Sequence, residues 1–133
     1  FITAIEDAGC LVVDDDLCMG ARAFIVPEAP GNDPMDDLTD IYLQRTPCPA
    51  FHRPGFNPGE HLLEKTRKSG ADGVVFLLTK FCDPYNFDYP PARKTLEDAG
   101  IPTLMLEVEQ HWGVPEQLRT RAQAFVELLE AQT

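Results

Sequence analysis

Positive charge is scarce in this 133-residue sequence: 11 Lys and Arg stand against 22 Asp and Glu, a formal charge of −11. No run of Lys or Arg gathers anywhere, so nothing is arranged to neutralise phosphates, and nucleic acid and anionic membrane surfaces drop out as partners. Long apolar runs are missing as well. The longest, at residues 74–78 and 101–106, fall far below the ~20 residues that a bilayer-spanning helix needs. No basic segment followed by an apolar stretch opens the chain. No C-x-x-C pair occurs, and four cysteines at positions 10, 18, 48 and 82 do not resemble the dense disulfide framework of a small secreted scaffold, which points to a reducing, cytoplasmic setting. A G-x-x-x-x-G-K-[ST] loop is absent, so ATP hydrolysis by that device is excluded. Repeats and low-complexity tracts are absent too. What the chain does have is apolar material. With 44% hydrophobic and 25% charged residues it can bury a core, and residues 1–133 are expected to form a single domain.

Local patterns divide that domain into alternating elements. Residues 1–8 read as the tail of a helix, with Ile2 and Ile5 on one side and Gly9 as its stop. Residues 10–13 form a short apolar run ending in Asp14, Asp15 and Asp16, the pattern of a buried strand that delivers carboxylates to its C-terminal end. Asp33 and Pro34 start a helix over 34–43 with Leu38, Ile41 and Tyr42 facing inward. Asn57, Pro58 and Glu60 start another, which Gly70 ends. Residues 74–78 are a β-branched, apolar strand covered on both faces. Residues 88–99 form a helix entered through prolines and closed by Gly100, 103–108 form a strand, and 115–130 form a helix whose Leu118, Ala122, Phe125, Val126 and Leu129 share one face.

Connections this long between strands specify parallel pairing with helices on the sheet faces. The expected fold is therefore α/β, a three-layer parallel sheet flanked by helices in the flavodoxin or Rossmann manner. Because the sequence opens inside a helical pattern, its first strand is expected to precede Phe1, and the chain reads as part of a longer subunit.

In such sheets ligands bind beyond the carboxyl ends of the strands, which here carry residues 14–19, 80–85 and 107–112 and are expected to converge. Thr46-Pro47-Cys48-Pro49 holds a thiol on a proline-stiffened backbone, and Cys82 lies just past a strand. Thiolates on rigid loops suit zinc or an iron–sulfur cluster, although buried, inert cysteines are the commoner use of the residue. Cys18 has the same two readings, and Cys10 is expected in the core. Asp14 to Asp16 either cap the following turn or hold a divalent cation. His111 and Trp112 follow the last strand, where a histidine is either a proton donor or a surface residue. His52 is a similar case, and His61 is expected exposed on its helix. Arg119 and Arg121 either meet phosphates of a ligand or a partner subunit, or pair with local acids such as Glu107, Glu109 and Glu116.

A series of motifs in order decides among these. Asp14-Asp15-Asp16-Leu17-Cys18, Thr46-Pro47-Cys48-Pro49, Gly70-Ala71-Asp72-Gly73-Val74-Val75, Lys80-Phe81-Cys82-Asp83-Pro84-Tyr85, Gly100-Ile101-Pro102 and Gln117-Leu118-Arg119-Thr120-Arg121-Ala122-Gln123-Ala124-Phe125 resemble the C-terminal half of the 2-hydroxyglutaryl-CoA dehydratase and benzoyl-CoA reductase family, D-component type. The resemblance runs nearly end to end. It implies that Cys48 and Cys82 are ligands of a 4Fe-4S cluster, with at least one further cysteine from outside this chain and Cys18 as an additional candidate. It also implies one-electron reduction of an acyl-CoA thioester to a ketyl-type radical, a homologous second subunit, and a separate ATP-dependent iron–sulfur activator protein. His111 is the candidate catalytic residue. These residues do not separate 2-hydroxyacyl-CoA dehydratase from ring reductase, though Glu109-Gln110 and residues 123–127 lean toward the reductase. Two alternatives stand beside this reading. One is a double-cluster small-molecule reductase of the same family, and the other is a metal-free flavodoxin-like interaction module.

Overall fold

The computed structural model describes residues 1–24, 31, 33–51, 53–109 and 116–132. Its elements in chain order are α1 (Ile2–Glu6), α2 (Ala21–Phe24), α3 (Pro34–Gln44), α4 (Pro58–Ser69), β1 (Val74–Thr79), α5 (Asp83–Asp98), β2 (Thr103–Val108) and α6 (Glu116–Glu130). Internal packing groups them into two compact units. One comprises residues 1–14 and 57–133, and the other residues 15–56.

In the first unit the local signals act where the sequence places them. Asn57 Oδ1 accepts from the N–H groups of Gly59 at 2.9 Å and Glu60 at 3.3 Å, satisfying two donors that the first turn of α4 leaves without helical partners. At the other end Gly70 takes φ 68°, the left-handed conformation that stops the helix without a Cβ clash. β1 and β2 pair in parallel, with Val74 opposite Thr103 and Thr79 opposite Val108, and α5 makes the crossover between them.

Alternation along the strands then distributes the layers. Val75 and Leu77 of β1 pack with Leu104, Leu106 and Val108 of β2 against Leu118 of α6. Ala4 and Ile5 of α1 line the same apolar crevice as Leu77, Leu106, Leu118 and Ala122. Phe76 points the opposite way, its ring meeting Tyr89 of α5 edge-on at 4.9 Å between centroids. The unit is thus an α/β arrangement in three layers, with α1 and α6 on one face and α5, backed by α4, on the other. Leu96 and Leu106 are its most completely buried large side chains, and each such leucine contributes about 2 kcal/mol by burial.

Several expectations need correction. Residues 10–13 form no strand: Leu11 is 78% and Val13 50% exposed, and an apolar run becomes a strand only through a hydrogen-bonded neighbour, which these residues do not have among the described residues. β1 is half-buried along most of its length rather than covered on both faces. α5 begins at Asp83 and runs through Pro90 and Pro91. The two prolines withhold donors only from the carbonyls of Asn86 and Phe87, which lie on exposed residues that water can serve. α3 forms with its expected cap, Asp33 Oδ1 accepting from Met35 N at 2.8 Å. Its apolar face, however, is not buried: Leu38 is 54% and Tyr42 65% exposed. Helical periodicity identifies a face that can be covered and does not supply the cover.

Candidate functional site

The carboxylates that follow residue 13 separate into three tasks. Asp14 pairs with Lys65 of α4 at 2.9 Å. Asp15 Oδ1 accepts from Leu17 N at 3.0 Å and Ala21 N at 2.8 Å, which ties down the turn carrying Cys18 and the start of α2. Asp16 meets the Arg22 guanidinium at 2.6 Å. The turn-capping expectation therefore holds for Asp15, whereas Asp14 and Asp16 enter ion pairs that the sequence reading did not include.

Arg22 then reaches across to the second cysteine loop, donating from Nη1 to the Pro47 carbonyl at 2.7 Å. Pro47 is buried, whereas Cys48, the next residue, is exposed, and its carbonyl accepts from Phe51 N at 2.8 Å. The segments bearing Cys18 and Cys48 are thus tied together through Asp16 and Arg22. No local pattern announces this, since Arg22 and Pro47 stand 25 residues apart.

Cys82 is presented differently. The N–H of Cys82 closes a turn onto Thr79 O at 3.1 Å, and Phe81, third in that turn, has φ 65°. Turns with positive φ at this place ordinarily carry Gly or Asn. Here a phenylalanine occupies it with its side chain 95% exposed. Cys82 becomes the N-cap of α5, its sulfur makes no capping hydrogen bond, and its carbonyl accepts from Asn86 N at 3.1 Å and Asn86 Nδ2 at 2.9 Å.

Beside this turn the ends of the two strands meet. Lys80 Nζ lies 2.6 Å from Glu109 Oε1 and 3.7 Å from Glu107 Oε1. Lys80 Nζ donates to Glu109 Oε1, and that hydrogen bond, followed by the charge of Glu109, holds the Lys80 ammonium above the usual lysine range, so Lys80 is a fixed cation. These two strand ends converge as expected. Glu107 and Glu109 pair with Lys80 rather than with Arg119 or Arg121, which lie exposed on α6. His111, Trp112 and His52 fall outside the described residues.

The remaining cysteine corrects an expectation. Cys10 is half-buried rather than core, and burial followed by the charge of Glu130 pushes its thiol above the ordinary value. His61 is half-buried on α4. None of Cys10, Cys18, Cys48 and Cys82 is joined in a disulfide, and among the described residues no group of three His, Cys, Asp or Glu side chains gathers as a metal site. Tested against an iron–sulfur cluster, Cys48 and Cys82 fit as single thiolate donors on restrained backbone. The described residues do not close a site by themselves. Among them, no helix is long and apolar enough to cross a membrane.

The parallel α/β unit thus carries Cys82 on a strand-end turn, and Cys48 lies exposed in a proline-bracketed loop. The family model described as 2-hydroxyglutaryl-CoA dehydratase, D-component, matches residues 1–129, and the chain belongs to that family. It is 37% identical over 127 residues to the (R)-phenyllactyl-CoA dehydratase beta subunit of Clostridium sporogenes, covering 94% of this chain and 33% of that protein. It is 36% identical over 119 residues to the lactoyl-CoA dehydratase beta subunit of Anaerotignum propionicum, covering 89% and 32%. With a benzoyl-CoA reductase subunit of Thauera aromatica it shares 27% identity over 131 residues, covering 97% and 34%. The chain therefore spans about a third of the length of these relatives.

Proposed function

We propose that this chain is the C-terminal, cluster-binding part of a subunit of a 2-hydroxyacyl-CoA dehydratase, working in the cytoplasm with a homologous second subunit and an ATP-dependent iron–sulfur activator. The observation that carries the reading is the family match over residues 1–129. Identities of 37% and 36% to dehydratase beta subunits, against 27% to the reductase subunit, favour the dehydratase branch over the lean of residues 109–110 and 123–127.

Cys48 and Cys82 hold a 4Fe-4S cluster together with cysteine from outside this chain, and Cys18 is the candidate for an additional ligand. When bound, the cluster supplies single electrons at low potential to the acyl-CoA thioester. This chain's own contribution is placement. The prolines around Cys48 and the turn before Cys82 restrain both sulfurs before any metal arrives, which lowers the ordering cost of binding. Lys80, fixed as a cation beside Cys82, offsets negative charge at the strand ends.

The test is anaerobic reconstitution of the full-length protein with iron and sulfide, read by iron content and electron paramagnetic resonance, followed by turnover of a 2-hydroxyacyl-CoA with ATP and activator. Cys48→Ser and Cys82→Ser should each lose iron and turnover, and Cys10→Ser should retain both. Full iron content in the first two variants, or none in the unaltered protein, overturns the assignment.

A further inference from the structure

We propose that Arg22 is the positioning residue of Cys48, a role that rests on the reading of Cys48 as a cluster ligand. The argument begins with peptide planarity. A carbonyl oxygen and the next residue's nitrogen share one rigid plane, so anchoring the Pro47 oxygen orients the bond from which Cys48 projects. Arg22 supplies that anchor at 2.7 Å. The plane on the other side of Cys48 is anchored independently, its carbonyl accepting from Phe51 N at 2.8 Å. Pro47 has a fixed φ, and Pro49 restricts the backbone of Cys48. With both flanking planes tied, little is left for the sulfur to choose except its side-chain rotamer.

The anchor is itself rigid. The Arg22 side chain is only 8% exposed, and its Nη2 meets Asp16, 17% exposed, at 2.6 Å. Asp16 follows Asp15, whose carboxylate binds the backbone of the same turn. A guanidinium can hold a carboxylate and a carbonyl at once from its planar fork, which a lysine ammonium on a flexible stem cannot reproduce. The buried charge is therefore placed where it fixes one backbone oxygen immediately before an exposed thiol. Because Cys18 lies on the turn that Asp15 and Asp16 organise, the same clamp sets how the two cysteine segments of this unit stand to each other.

The experiment uses the full-length protein with Arg22→Lys and Arg22→Gln, and two readouts. In the metal-free protein, alkylation of each cysteine by iodoacetamide is followed peptide by peptide, with Cys82 as internal reference. In the reconstituted protein, the cluster's midpoint potential and its rate of loss to a chelator are measured. Losing one charge-assisted anchor should speed Cys48 alkylation and chelator stripping on the order of fivefold or more in Arg22→Gln, less in Arg22→Lys, with Cys82 unchanged. The potential should shift in the same order. Cys48 alkylation within about twofold of the unaltered protein in a variant that keeps its far-ultraviolet circular dichroism overturns the proposal, since one lost anchor is worth more than that. Where Arg22→Gln does not fold, Arg22→Lys decides by the same criterion. If the unaltered protein takes up no iron, the ligand reading fails, and the alkylation arm still decides whether Arg22 positions the thiol.

Discussion

Replacing Gly59 with alanine sets two general effects against each other, and the structure says which wins. In a helix an alanine is preferred over glycine by up to about 1 kcal/mol, so propensity alone predicts stabilisation. Gly59, however, is buried in the first turn of α4 where that helix crosses α5. A Cβ added there would stand 2.8 Å from Thr95 Cβ and 3.3 Å from Ala92 Cα, and would also strike Thr95 Oγ1. Carbon atoms pack best at about 3.5–4.0 Å, so the overlap with Thr95 is close to 1 Å. Neither obstructing carbon can rotate away, because both are fixed to the α5 backbone. The helices must part, at a cost of about 1–3 kcal/mol for overpacking. The net expectation is destabilisation by roughly 1–2 kcal/mol, a fall of several degrees in Tm. Urea unfolding of the 133-residue chain reads it as a lower midpoint at unchanged slope. Thr95→Ala removes the hydroxyl but leaves the Cβ, so Gly59→Ala/Thr95→Ala should recover only part of the loss. Gly70→Ala is the contrasting case, because its Cβ would meet nothing within 4 Å and its cost arises from φ 68° alone. No second substitution on α5 should rescue it. Stabilisation by Gly59→Ala would refute the close crossing of α4 and α5.

Two further outcomes follow from single residues. Phe81 is held at φ 65° while burying almost nothing, so Phe81→Asn should raise stability by roughly 1 kcal/mol through relief of backbone strain, and a lower urea midpoint would contradict that account. Cys10 is kept protonated by burial and by Glu130, so its contribution to stability is intact below the ordinary thiol range and is lost as pH rises through the elevated value. Cys10→Ser should flatten the alkaline limb of the stability profile, and Glu130→Gln should speed alkylation of Cys10, since only the thiolate reacts. An alkaline limb identical in Cys10→Ser would remove this residue from the explanation.

What could be read from the sequence alone was whatever neighbouring residues settle among themselves. Asn57-Pro58 and Gly70 bound α4 because a cap and a left-handed stop act within one turn. The spacing of Leu118, Ala122, Phe125 and Val126 marked the buried face of α6, and short apolar runs marked both strands, the first of them β-branched. Cys48 and Cys82 stand out locally as thiols on restrained backbone, and their reading as cluster ligands came from the ordered series of family motifs rather than from either loop alone. Tertiary structure alone decided that residues 10–13 form no strand among the described residues, that Leu38 and Tyr42 of α3 are exposed, and that Asp14 meets Lys65 while Asp16 meets Arg22. It alone brought Arg22 to the carbonyl before Cys48, 25 residues away. The division is physical: caps, turns and periodicity depend on atoms a few bonds apart, whereas a strand's neighbour, a face's cover and a guanidinium's second acceptor come from chain segments whose meeting no local pattern encodes.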